Sequence, residues 1–139
     1  MRRLLASISL LLLSLLAMPA SAATFPDSDG DHVRYNAVIE MGRGYVSGVC
    51  ILARDGATVR GCLFNEFGIS ALAFEYDTAT DKVKLTDVIK MLNKWYIRRT
   101  LRQDLRQVMH GLADGVMTYR NEKRNINYKF TILENATEE

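Results

Sequence analysis

The sequence predicts an α+β fold: a curved antiparallel meander sheet, half-barrel-like, with one or two helices packed on one face and a C-terminal hairpin. Three observations carry this expectation. From Val33 to Leu85 apolar residues recur at a spacing of two, in short runs separated by Gly- and Asp-containing turns. From Thr86 to Leu112 the spacing changes to the three-and-four of an amphipathic helix, and from Val116 to Leu133 it returns to two. Strands in runs, then a helical stretch, then strands again make a sheet covered on one side rather than alternating βαβ units.

The chain has 139 residues, and its first 22 have the three parts of a secretory signal. Arg2 and Arg3 are basic, Leu4 to Met18 are apolar, and Pro19-Ala20-Ser21-Ala22 supplies a small-residue cleavage site. The expected mature protein is exported, periplasmic and soluble, and not an integral membrane protein, because the apolar run is short for a bilayer span. The domain plan is then 1–22 signal peptide, 23–32 flexible leader, 33–133 a single α+β domain and 134–139 a polar tail. Losing Arg2 and Arg3 from the 18 basic residues leaves 16 against 16 acids. A formally neutral mature chain gives no basis for nucleic-acid binding.

Taken in order, Asp27, Asp29 and Asp31 alternate in the leader but lack the glycine and distal glutamate spacing of a calcium loop, so a solvated segment is expected. Val33 to Met41 alternates as a half-buried strand, and Gly42-Arg43-Gly44 is a turn or bulge. Tyr45 to Ala53 and Thr58 to Asn65 flank Asp55-Gly56, a strong hairpin signal. Packing of the apolar sets favours a three-residue loop, Asp55-Gly56-Ala57, which would oppose Cys50 to Cys62 and Val49 to Leu63. In an exported chain two readings of those cysteines stand: a disulfide, or two free thiols acting as small apolar side chains. Both hairpin faces are rich in apolar residues, so both are expected to be covered. Asn65 to Gly68 is a turn, Ile69 to Tyr76 a third strand of this run, and Val83 to Leu85 a short one beyond Asp77 to Lys82.

Val88, Met91, Leu92, Trp95 and Tyr96 fit a helical stripe with Thr86 or Asp87 as its cap. Thr100-Leu101-Arg102-Gln103 matches a capping box, the mark of a second helix or a restart. Leu101, Leu105, Val108, Met109 and Leu112 form the apolar face, and Gly111 and Gly115 bracket the end. The opposite face carries Lys90, Lys94, Arg98, Arg99, Arg102 and Arg106, interrupted by Asp104. Such a face is either simply solvated or a docking surface for an acidic partner or lipid head groups, with Arg98, Arg99 and Arg102 at its centre. Val116 to Arg120 and Asn125 to Leu133 close the fold as a hairpin.

No motif for catalysis emerges. His32 and His110 have no carboxylate, Cys or Ser at a spacing that suggests a triad or a metal site, and there is no phosphate-binding glycine loop. The expectation is a non-enzymatic protein with no cofactor and no metal.

The strand order, the signal peptide and the segment Cys62-Leu63-Phe64-Asn65-Glu66-Phe67-Gly68-Ile69-Ser70-Ala71-Leu72 together resemble the half-barrel family of lipoprotein carriers and outer-membrane receptors (LolA/LolB-like). The strings FNEFGI and KWYIRR are similar to those of exported proteins from Bacteroidetes-type bacteria. In the half-barrel family a strand, an F-G turn and another apolar strand line an incomplete barrel, and Leu85 to Leu112 would stand where its helical plug stands. The chain departs from the anchored receptors in lacking a lipobox, and from the carriers in being shorter, which implies a shallower cavity. The resemblance implies a periplasmic protein that binds a lipid or a lipoprotein acyl chain. The doubly apolar hairpin and the aromatic-rich third strand give Val49, Ile51, Leu63, Phe74, Trp95 and Tyr96 as the expected ligand-binding residues, the other reading being that they are core filled by the helices. The alternative is an accessory module whose second sheet face or basic helix binds an envelope protein, with no small-molecule ligand.

Overall fold

β1 (His32–Met41) is the strand on which the sheet is built. Its Val33, Tyr35, Ala37 and Ile39 are buried on one face, while Arg34, Asn36, Val38 and Glu40 alternate onto the other. It pairs antiparallel with β2 (Gly44–Asp55) on one side and with β7 (Ile126–Ile132), the last strand, on the other. β3 (Thr58–Phe64), β4 (Ser70–Asp77) and β5 (Lys82–Val88) continue the meander, and β6 (Thr118–Asn121) lies outside β7. The order across the sheet is β5-β4-β3-β2-β1-β7-β6. The computed structural model describes residues 23–42 and 44–133; the expected signal peptide and polar tail lie outside the described residues.

The seven strands curl into a half-barrel, and one α-helix, α1 (Trp95–Ala113), packs into it, as the sequence predicts for the fold class. α1 lies against both edge strands, β5 and β6, and so screens two edges that would otherwise offer unpaired backbone groups. Register shifts between Leu63 and Phe64 and between Ala73 and Phe74 add local twist where the sheet bends. Gly61 is required at one of these bends. A Cβ there would run into the Phe74 ring, which lies across the strand in the core.

The concave side is filled. Leu101, Leu105, Val108, Met109 and Leu112 of α1 meet Tyr35, Leu52, Leu63, Phe74 and Tyr128 of the sheet in one continuous core. Fully burying one such side chain is worth about 1.5–3 kcal/mol, so the helix plug supplies much of the stability of a domain this small. Beyond the last helical residue, Ala113, the chain is turned away at Gly115, whose φ of 82° suits glycine. The Gly115 and Val116 amides donate to the carbonyls of Leu112 and Gly111, the paired closure of a Schellman motif.

Four local expectations are corrected. The stretch from Thr86 is not helical: β5 runs to Val88, with Asp87 opposite Ala73 and Val88 opposite Leu72. A 3₁₀ turn over Lys90–Leu92 then buries Leu92 before α1 begins at Trp95. Thr100 caps nothing. It lies inside α1, where its hydroxyl donates to the Tyr96 carbonyl at 2.9 Å, the bond that lets threonine sit in a helix. The leader is docked rather than loose. Phe25 is buried in the core, the Thr24 hydroxyl donates to the Leu112 carbonyl, and the Tyr35 hydroxyl donates to the Thr24 carbonyl.

The fourth correction is the hairpin register. The β2–β3 loop is Gly56-Ala57, with Asp55 opposite Thr58 and Gly56 at φ 62° in the first central position. Cys50 therefore faces Leu63, and Ile51 faces Cys62. A one-residue slip exchanges the faces of a whole strand. Cys50 points into the core while Cys62 lies on the opposite side of the sheet, and both are free thiols. Val46, Cys50, Leu52, Val59 and Leu63 thus share the core face. Val49, Ile51, Cys62 and Phe64 share the outer one, where they are only half-buried.

Candidate functional site

All the strands alternate in direction, so the turns segregate. The β1–β2, β3–β4 and β6–β7 turns, the 3₁₀ turn and the start of α1 form one end, here called upper. The leader, the β2–β3 and β4–β5 turns and the end of α1 form the lower end.

Two adjoining depressions occupy the upper end between α1 and the β6–β7 hairpin. The first is an apolar groove of about 310 Å³ lined by Met41, Tyr96, Ile97, Leu101 and Ile126, with Gly42, Thr100 and Arg124 at its border. The second, of about 360 Å³, is polar and cationic, lined by Arg99, Gln103, Asn121 and Lys123, and it shares Thr100 and Arg124 with the first. No carboxylate lines either. The groove exists because α1 leaves the sheet at Tyr96-Ile97, one turn before Leu101 seats in the core, while Met41 and Ile126 end their paired strands opposite it.

A third depression, of about 380 Å³, lies on the outer sheet face over β2, β3 and β4. It is lined by Ile51, Ala53, Cys62, Phe64 and Ala73, with Arg60 and Glu75 joined across it at 3.5 Å.

The structure disperses the expected ligand-binding residues. Leu63 and Phe74 are core, each 2 % exposed. Val49 and Ile51 are on the outer face. Trp95 and Tyr96 stand at the upper end with their rings edge-to-face at 5.7 Å, and of the six only Tyr96 borders the groove. Arg99 and Arg102 are exposed, and Arg98 reaches Asn93 at 3.2 Å.

Two polar clusters escape a reading by spacing. Asp104 does not interrupt the basic face: it is 3 % exposed, on the same side of α1 as Leu101 and Leu105. Its carboxylate accepts from the Tyr128 hydroxyl at 2.7 Å and from the Asn121 amide at 2.9 and 3.0 Å. Burial raises its pKa, against the pull of those donors and of Arg124. At the lower end Asp81 accepts from Tyr76 at 2.8 Å and from Arg106 at 2.8 Å, and meets His110 at 2.5 Å. The bonds from His110 and Tyr76 hold its carboxyl far below the usual carboxylate range. The signal for Asp104 was present, since position 104 stands three from 101 and four from 108. The Asp81–His110 pair spans 29 residues and left no local trace.

Among the described residues no group of three or more His, Cys, Asp or Glu side chains is placed to hold a metal ion, and no helix is long and apolar enough to cross a membrane. No protein-family model matches the chain, and neither a curated protein nor a solved structure matches it.

Proposed function

We propose that this chain is a non-enzymatic envelope protein that binds a single-chain amphiphile with an anionic head group, a lipid or acyl chain in the sense of the half-barrel resemblance. The supporting observation is the pair of adjoining depressions: an apolar groove for the chain and a cationic shelf, Arg99, Lys123 and Arg124, for a carboxylate or phosphate. A groove of about 310 Å³ stands at the bottom of the roughly 300–1,000 Å³ span of small-molecule pockets, which suits one chain and not a triacylated lipoprotein. Guanidinium groups at the shelf match the bidentate geometry of either anion. The occupied concave side moves the reading from the barrel interior to its mouth.

The test is retention of lysophosphatidylglycerol against its phosphatidylcholine-headed analogue, read by native mass spectrometry and titration. The expected result is tighter binding of the anionic form, with Arg99→Ala plus Arg124→Ala weakening it about tenfold or more. Ile97→Glu should abolish it. Equal binding of the two head groups, or retention by the Ile97 variant, would sink the reading.

The outer-face depression favours a second reading, an interaction module, since Ile51, Cys62 and Phe64 form an apolar surface beside a paired Arg60 and Glu75. Cross-linking from Ala53→Cys in a Cys62→Ser background would identify such a partner.

A further inference from the structure

Seven large apolar side chains are exposed among the described residues, and six of them stand at the upper end: Tyr45, Phe67, Ile69, Met91, Trp95 and Tyr96. They come from four separate turns or element starts, so the clustering is made by the fold and not by any one run of sequence. Only Val116 lies at the other end.

Their exposure is built in. Asn65 holds the β3–β4 turn by accepting from the Phe67 and Ile69 amides at 2.9 and 3.0 Å, while its own amide donates to the Ile69 carbonyl. Gly68 takes the φ of 76° that closes the turn. Phe67, 78 % exposed, is thus presented by a bonded loop and is not a frayed side chain. Trp95, 75 % exposed, is the first residue of α1 and is set by the helix.

Charge is sorted along the same axis. Lys90, Lys94, Arg98 and Arg99 surround Met91 and Trp95, and the first turn of α1 contains no acid and no side-chain cap. The acids at this end are Glu40, Glu66, Asp87 and Glu122, against Lys90, Lys94, Arg98, Arg99, Lys123 and Arg124. The lower end instead gathers Asp27, Asp29, Asp31, Asp55, Asp77 and Asp81, against Arg54, Lys82 and the Arg106 that pairs with Asp81. An anionic surface would draw one end of this molecule and repel the other.

We propose that the upper rim docks on an anionic lipid surface, with Phe67, Ile69, Met91 and Trp95 entering the interfacial layer and Lys90, Lys94 and Arg99 pairing with head groups. Aromatic residues with a polar edge, flanked by lysine and arginine, are what this layer favours. A second copy of this chain is the poorer occupant, because two such rims would bring like charges together. Docking does not rest on the groove being filled, although the groove opens at the same end.

Trp95 is the only tryptophan in the chain, so its emission reports the rim directly. The full mature chain is mixed with vesicles of phosphatidylcholine and phosphatidylglycerol in equal parts, and with vesicles of phosphatidylcholine alone. The expected result is a blue shift and co-sedimentation with the first, suppressed by salt, and quenching by bromines placed near the glycerol. Lys94→Glu plus Arg99→Glu should weaken partition about tenfold or more, and Phe67→Ser plus Ile69→Ser, which touches no core residue, should weaken it several-fold. No shift with anionic vesicles at low salt would overturn the proposal, as would equal binding to neutral vesicles. A shift that grows with protein concentration in the absence of lipid would replace the membrane by a second copy. A shift given by dispersed lysolipid but not by vesicles would leave the groove reading standing and remove docking.

Discussion

Asp81 and His110 meet across the lower end with Oδ1 and Nε2 2.5 Å apart, tying the β4–β5 turn to the last turns of α1. Arg106 and Tyr76 complete the contact, the Tyr76 ring standing edge-on to the imidazole at 6.3 Å. Because the folded state lowers the Asp81 pKa, the stabilisation is present above the unfolded carboxylate value, about 3.9, and is lost as pH falls below it. Asp81→Asn keeps a residue tolerant of the φ of 59° found there. The variant should therefore show a smaller loss of urea midpoint between pH 5 and pH 3 than the parent. An unchanged acid limb would show that the latch does not carry the acid sensitivity.

Asp104 has the opposite sign. Its raised folded pKa makes its contribution greatest below about 3.9 and reduces it as pH rises through the folded value. Asp104→Asn should therefore compare more favourably with the parent at pH 7 than at pH 4. A deficit that widens with pH would contradict this. Tyr128→Phe leaves the carboxylate with Asn121 alone and should cost about 1–3 kcal/mol in denaturant unfolding.

The two thiols should react very differently. Burial, with the nearby Cys62, pushes the Cys50 thiol up to about 12, whereas Cys62 is half-exposed beside Ser70 at 3.4 Å. Mass spectrometry after iodoacetamide at pH 8 should find one modification on the native protein and two after unfolding, with or without reductant. Two equal rates, or no labelling without reductant, would show the register assigned to β2 and β3 to be wrong.

Gly61→Ala places a methyl group against the Phe74 ring and should destabilise by about 1–3 kcal/mol, as overpacking does. Combining it with Phe74→Leu should recover part of the loss. Strict additivity of the two in thermal unfolding would show that the contact is not the cause.

Periodicity was enough for β1 and β7, which alternate so regularly that their extents, to within a residue at each end, and their shared core face follow from the apolar residues alone. It failed where two periods overlap. Val88 fits a helical stripe with Met91 and Leu92 as well as a strand end; its pairing with Leu72 decides for the strand, and Met91 and Leu92 fall in the 3₁₀ turn beyond it. The β2–β3 register was misjudged because apolar residues on both faces let the three-residue loop Asp55-Gly56-Ala57 match one apolar set to another, while the chain turns on Gly56-Ala57 alone. The site depended on that error. With the faces exchanged, Leu63 joins the core with Phe74, and the ligand residues cannot form one pocket. The groove escaped notice because Met41, Ile97 and Ile126 come together only once β7 has paired with β1.

That last pairing also fixes an order of events. β1 is among the first segments a ribosome would complete, yet one of its two edges is satisfied only by β7, with the Leu133 amide donating to Arg34 as the final rung. β1 to β5 can zip by neighbour-to-neighbour hairpins, but the seam between β1 and β7 joins residues from 85 (Met41 and Ile126) to 97 (Tyr35 and Ile132) apart in the chain and must wait for the C-terminal strand. Until then an apolar strand edge stays open, and a chain cut before Ile126 would keep that edge for its lifetime.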